Sequence, residues 1–240
     1  MKACRGITGA VLLVLLFSQF LSASSNRFKE DKEIKFYLSN YTNFAPGSEV
    51  SVSLYCYNVK DYEFSFRLFR ITDMVRFFTE INRSALRGSF DILGENNESL
   101  LRYTVPVKDW KDKVADFRNS FRNNVPVGKV DEAGTYILQA VNGKHVAYCS
   151  IVVSSLAMLY KYDSDKMIAF MSDIQSSKFQ PNVKFDVYND SSKLAASSIA
   201  GSDGLSVMKL DTSSFRGNTN YLVFANTGNE ILVNDPGFYF

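Results

Sequence analysis

The sequence predicts an all-β protein of two antiparallel β-sandwiches in tandem, and three observations predict it. Apolar and polar residues alternate with period two in many short runs along the chain. Those runs are rich in β-branched and aromatic residues. Gly, Asn, Asp, Ser or Pro separates them at regular intervals, the spacing of sandwich proteins.

The chain opens on a segment that is not part of either sandwich. Lys2 and Arg5 precede an apolar stretch from Ile7 to Leu21, and small residues follow as "SAS". At about 15 residues the stretch is short of the roughly 20 that span a bilayer. Residues 1–24 are therefore expected to be a cleaved export signal, leaving no stable membrane insertion. The mature chain would be periplasmic, cell-surface or extracellular.

The first sandwich is expected over residues 27–153. In "EVSVSLYCYNV", Val50, Val52, Leu54 and Cys56 share one face and Ser51, Ser53, Tyr55 and Tyr57 the other. "EFSFRLFRI" puts Phe64, Phe66 and Leu68 in one phase. "DWKDKVADFRNSF" breaks the pattern. Its Trp110, Val114, Phe117 and Phe121 recur at helical spacing, with Asp109 as N-cap, and predict one short amphipathic helix over a sheet edge or in a connection. "TYILQAV" and "VAYCSIVV" follow, joined across Asn142-Gly143, a hairpin signal in which both positions are expected at positive φ. The second sandwich is expected over residues 154–240. No composition shift marks the boundary, which comes from counting strand-like runs on either side of "SIVVSSLAML". Its strands are "KMIAFM", "VKFDVY", "SVMKL" and "NYLVFAN", with turns at "YDSDKM" and "NTGNEI". In "SIAGSDGLSVMKL", Leu194 to Ile199 and Leu205 to Leu210 read as hairpin partners. Asp203 is expected to bond the backbone ahead of it, with Gly204 left-handed.

Composition and chemistry limit the function. The 46% hydrophobic content favours a folded core. A net charge of +2, from 27 basic and 25 acidic residues, gives no reason to expect nucleic acid as partner. The single histidine, His145, lies four residues from Cys149, about 13 Å along a strand, beyond hydrogen-bond reach. Neither "YDSDKM" nor "VYNDSS" fits a calcium loop, and no close Cys or His pair has zinc spacing. No phosphate loop or nucleophile elbow occurs, and "FRNSFRNN" is the only local basic excess. No catalytic, cofactor or metal site is expected. Cys56 and Cys149 remain after signal removal, and they could pair as a disulfide or pack as free buried thiols. Asn40, Asn82, Asn97 and Asn189 head glycosylation sequons. Such a chain reads as a non-enzymatic binding or scaffold protein, with an exported hydrolase a distant third reading.

Several segments together resemble the N-terminal macroglobulin-type domains of the alpha-2-macroglobulin family, most closely its bacterial members. "EIKFYLSNYTNFAPGSEVSVSLYCYNVKDYEFSFRLFRI" is similar to the opening domain, where an apolar-x-Pro-Gly phrase precedes a strand. "EAGTYILQAV" is similar to its Gly-x-Tyr closing strand. In the second domain, Lys178 and Pro181 stand where the family has Lys-Pro adjacent, with Phe179 and Gln180 intervening. Ser202-Asp203-Gly204 resembles a shortened Thr-Asp-x-x-Gly turn, and "NDPGFYF" an aromatic domain end. The resemblance implies two Ig-like, macroglobulin-type sandwiches from a protease-inhibitor family. Neither Cys56 nor Cys149 is followed by the Glu-Gln of the family thioester, and no bait region is recognised. A truncated or split member is thus implied, with a larger envelope protein or a protease as protein partner. A generic Ig-like adhesion or envelope-assembly module is the alternative.

Overall fold

A computed structural model gives the structure over residues 35–40, 42–57, 59, 62–80, 91–92, 101–114, 122–163, 165–189, 191–211 and 221–234. The expected leader, Phe117, Phe121, the sequons at Asn82 and Asn97, and the aromatic close after Asn234 lie outside these residues.

The first part of the chain forms β1 (Lys35–Ser39), β2 (Glu49–Tyr57), β3 (Glu63–Ile71), α1 (Met74–Glu80), β4 (Asp91–Ile92), β5 (Thr104–Lys113), β6 (Arg122–Lys129), β7 (Gly134–Asn142) and β8 (His145–Val153). The second forms β9 (Leu156–Asp163), β10 (Lys166–Asp173), β11 (Lys184–Tyr188), β12 (Leu194–Ile199), β13 (Leu205–Lys209), β14 (Leu222–Asn226) and β15 (Ile231–Asn234). They pair antiparallel into four sheets, ordered β1-β2-β6, β4-β8-β7-β3-β5, β13-β10-β9 and β12-β11-β14-β15. Among the described residues no ladder joins a strand up to Val153 to one beyond it.

The apolar phase of β2, and of β3 as far as Leu68, is the buried one. Val50, Val52, Leu54 and Cys56 are buried, as are Phe64, Phe66 and Leu68. Phe36 of β1 meets Phe64 edge-to-face at 5.1 Å, joining the two facing sheets of the first sandwich. In the second sandwich Met167, Ala169, Met171 and Met208 face Phe185, Val187, Val223 and Ala225 across a common core.

β7 and β8 do not alternate because both faces of their sheet are covered. A separate cluster on the outer side gathers Ile137, Val146 and Tyr148 with Met74, Phe77 and Phe78 of α1 and Leu222, Phe224 and Val233 of the later sheet. β14 therefore serves two cores: Val223 and Ala225 enter the second sandwich, while Leu222 and Phe224 enter the shared cluster. Phe78 meets Phe224 edge-on at 6.2 Å, and the Ser192 hydroxyl donates to the Thr79 carbonyl at 2.8 Å.

The short helix among the described residues is not the one that the spacing predicts. Residues 109–113 belong to β5, which runs beside β3 along its whole length, with Trp110 opposite Phe66. Trp110 and Val114 share parity, so one face of a strand satisfies their spacing as well as a helix does. A short, highly charged helix has little stability of its own, and a full ladder against a buried partner outcompetes it. The helix that does form, α1, begins at Asp73, whose Oδ1 accepts the Arg76 amide at 3.0 Å. Its apolar side is Met74, Phe77 and Phe78, an i, i+3, i+4 set that fills the shared cluster.

Trp110 is half-buried, stacked on Phe66 at 5.3 Å with Lys108 Nζ 4.9 Å above its ring. Trp110→Ala is expected to cost about 1–2 kcal/mol, the sum of one aromatic pair and one cation–π contact. Chemical denaturation followed by far-ultraviolet circular dichroism measures it. A loss near 4 kcal/mol, as for a fully buried tryptophan, would contradict this placement.

Candidate functional site

Most residues singled out in the sequence take structural places. His145 is half-buried at the head of β8, four residues along the same strand from Cys149. The hairpin between β7 and β8 turns at Gly143 and Lys144, not Asn142 and Gly143, since Asn142 still pairs with His145. Only Gly143 has positive φ, +59°, which is the type II′ pattern. Asn189 is buried, its Oδ1 accepting the amides of Ser191 and Lys193, and Asn40 donates to the Ser150 carbonyl at 3.2 Å. Among the described residues no group of three or more His, Cys, Asp or Glu converges as a metal site.

Cys56 and Cys149 are both free, buried thiols, on β2 and β8 of facing sheets. Burial pushes the Cys56 thiol from its ordinary 9.0 up to about 12, and that of Cys149 upward as well. Because the folded values lie above the unfolded ones, the stability these groups contribute is intact below about pH 9 and falls as the pH rises toward about 12. A thiol reagent at pH 8 is expected to label neither cysteine in the native protein and both after unfolding. A disulfide-linked peptide pair in a non-reducing digest would contradict that.

One groove, of about 400 Å³, lies along the seam between β5 and β6, lined by Leu68, Val105, Val107, Val127 and Val130. Both are edge strands, and each carries a proline and a bulge at the same level: Pro106 with Val107, and Pro126 with Val127. Proline removes a donor and a bulge breaks the ladder, so these edges resist pairing with another strand. Two of the groove's cations are engaged already. Lys108 Nζ donates to the Val127 carbonyl at 2.9 Å, and Arg70 is paired with Glu132.

The strongest candidate is the outer face of β13-β10-β9. Register places Leu159, Phe170 and Leu205 in one rank across the three strands, and Lys161, Ile168 and Val207 in the next. A third rank holds Asp163, Lys166 and Lys209. Leu159 is 56% exposed, Ile168 44%, Leu205 40% and Val207 61%. The opposite parity, Met167, Ala169, Met171 and Met208, is buried in the core, so these apolar residues are surplus to the fold's own packing. With strands about 4.8 Å apart and same-face residues about 7 Å apart, the two ranks make one continuous patch. Contiguous exposed apolar surface of this kind marks interaction sites.

Phe179 extends the patch. It is 56% exposed and meets Phe170 edge-to-face at 5.2 Å. A backbone bridge to Ser172 of β10 holds it there, and the "SDG" turn packs closely against it. Gly204 donates to the Gly201 carbonyl at 2.9 Å, and Asp203 Oδ1 accepts the Leu205 amide at 3.0 Å. Gly204 has φ +75°, and a Cβ there would lie 2.5 Å from that of Phe179. The turn is not a hairpin: β12 pairs with β11 and β13 with β10, so the chain crosses between the two facing sheets. Asp203 is thus a turn residue, as its neighbours imply, and the turn it makes supports the rim of the exposed face. Sequence reasoning missed this face, although the exposed phase of "KMIAFM" and "LSVMK" carries the signal: Ile168, Leu205 and Val207 are apolar where a solvated strand would be polar.

No family model and no curated protein matches the sequence. Among solved structures, the fold is similar to native alpha-2-macroglobulin from Escherichia coli spanning domains NIE-MG1. That match has 13% identity and a TM-score of 0.61, and covers 85% of this chain and 99% of that one. A longer native piece spanning MG0-NIE-MG1 matches at 12% identity and TM-score 0.62, over 85% of this chain and 64% of that one. The trypsin-activated E. coli protein matches at 12% and 0.53, over 85% of this chain and 14% of that one. The chain therefore has the fold of macroglobulin domains, and it spans only a small part of the longest of these structures.

Proposed function

We propose that this is an exported, non-enzymatic binding or scaffold protein, two macroglobulin-type domains divided near Ser154, whose protein partner covers the outer face of β13-β10-β9. The observation that carries the reading is that face: exposed Leu159, Ile168, Leu205 and Val207 about the half-buried Phe170, with Lys161 beside them and Phe179 at the rim, on a sheet whose other side is already packed. The fold supports it, since the E. coli protein of that fold carries further domains beyond the matched region. The leader-like start supports export. An inhibitor-derived scaffold needs a surface that docks to other protein, and this face is such a surface.

A photo-crosslinking amino acid at Val207 tests the reading in cells that make the protein, with the same group at the exposed Val107 of β5 as control. A discrete adduct is expected from position 207, lost when Ile168→Asp is added, and none from 107. Adducts from both positions alike, or from neither, would overturn it.

A further inference from the structure

The third rank of the same face says what kind of partner it takes. Lys166 and Lys209 stand directly opposite one another on adjacent antiparallel strands. Like charges so placed repel, a cost the free protein bears without packing return. Lys161 adds a third cation in the neighbouring rank, and the one carboxylate in these ranks is Asp163, opposite Lys166. These ranks thus run from apolar at the Phe179 end to three lysines against one carboxylate at the other. A second copy of the chain laid face to face on this one would bring only Asp163 of these ranks to meet those lysines.

Resting on the docking role of this face, we infer that its occupant is a different protein presenting an apolar centre with a carboxylate margin, and that Lys161, Lys166 and Lys209 select it. A partner carboxylate between Lys166 and Lys209 would convert their repulsion into two charge-assisted contacts.

Two synthetic amphipathic peptides of identical Leu and Phe content test this, one flanked by glutamates and the other by lysines, each titrated into the full chain by fluorescence anisotropy at 50 mM and 500 mM salt. The glutamate peptide is expected to bind at least about tenfold more tightly at low salt, and to lose that advantage at high salt. Lys209→Glu separates recognition from folding, because the two effects run in opposite directions. Removing the lysine pair is expected to leave the melting temperature unchanged or raise it slightly, while affinity for the glutamate peptide falls about tenfold. If both peptides bind equally and Ile168→Asp abolishes both, the docking face stands and the acidic partner is wrong. If glutamate-peptide binding survives Ile168→Asp, or neither peptide binds, the face itself is wrong and the inference falls with it.

Discussion

Gly204→Ala is expected to cost about 2–4 kcal/mol of stability, from backbone strain at positive φ and from overpacking against Phe179. The new methyl group would lie 2.5 Å from the Phe179 Cβ and 3.4 Å from the Gln180 backbone nitrogen. Neither can yield cheaply. The Gln180 amide donates to the Met171 carbonyl at 2.8 Å, tying that segment to β10. The matched control is Gly228→Ala in the β14–β15 turn, also at positive φ (+91°) but with nothing within 4 Å of an added Cβ. There only the conformational penalty of about 1 kcal/mol remains. At about 2–4 °C per kcal/mol for a chain of this size, the two variants should separate clearly in thermal melts. Equal losses at both positions would show that Phe179 does not press on the turn. The same substitution should also weaken partner capture, because it displaces one wall of the exposed face.

Phe224→Ala should be more damaging still, at about 3–5 kcal/mol, the usual range for truncating a buried phenylalanine. Phe224 is 2% exposed and packs edge-on against both Phe78 and Tyr188. Its position makes the experiment informative beyond its size. Phe224 belongs to the later sheets, whereas the chain's one tryptophan, Trp110, lies on β5 of the first sandwich. If the shared cluster couples the two parts, urea unfolding followed by Trp110 fluorescence shifts to lower denaturant together with the circular dichroism transition. A fluorescence transition that stays in place while circular dichroism shifts would mean the two parts unfold independently.

The distribution of burial explains which elements could be read from sequence. β2 and β10 each have one face in a core, so their burial follows the period-two pattern written in them, while β3 keeps it only to Leu68, beyond which Phe69 and Ile71 enter the shared cluster. β7 and β8, covered on both sides, show continuous apolar runs that mark strands but cannot say what lies on the second face. That second face is the shared cluster, formed by α1 and β14 from distant parts of the chain, and no local pattern specifies such a meeting. The helix was misplaced for a related reason: the 110/114 spacing suits a strand face and a helix face equally, and Phe66 decides for the strand. At "SIAGSDGLSVMKL" the turn chemistry was legible, while its destination was not. A short link can close a hairpin or cross between facing sheets, and only the pairing of β12 with β11 and β13 with β10 distinguishes the two. The candidate face was present in the same letters. Ile168, Phe170, Leu205 and Val207 read as ordinary strand residues until the buried phase is known to be the opposite one.

The most direct measurement is a paired assay of the Ile168→Asp, Val207→Gln double variant, which places no like charges opposite one another across the Ile168–Val207 pair. Both side chains are exposed and lie outside the core, so the melting temperature is expected to stay within about 2 °C of the parent, the range of surface substitutions. Crosslinked adducts from the face, read with the photoreactive group at Leu205, are expected to disappear. A variant that melts like the parent and still forms the adduct would contradict a docking role for this face. One that unfolds would show these residues to be part of the core instead.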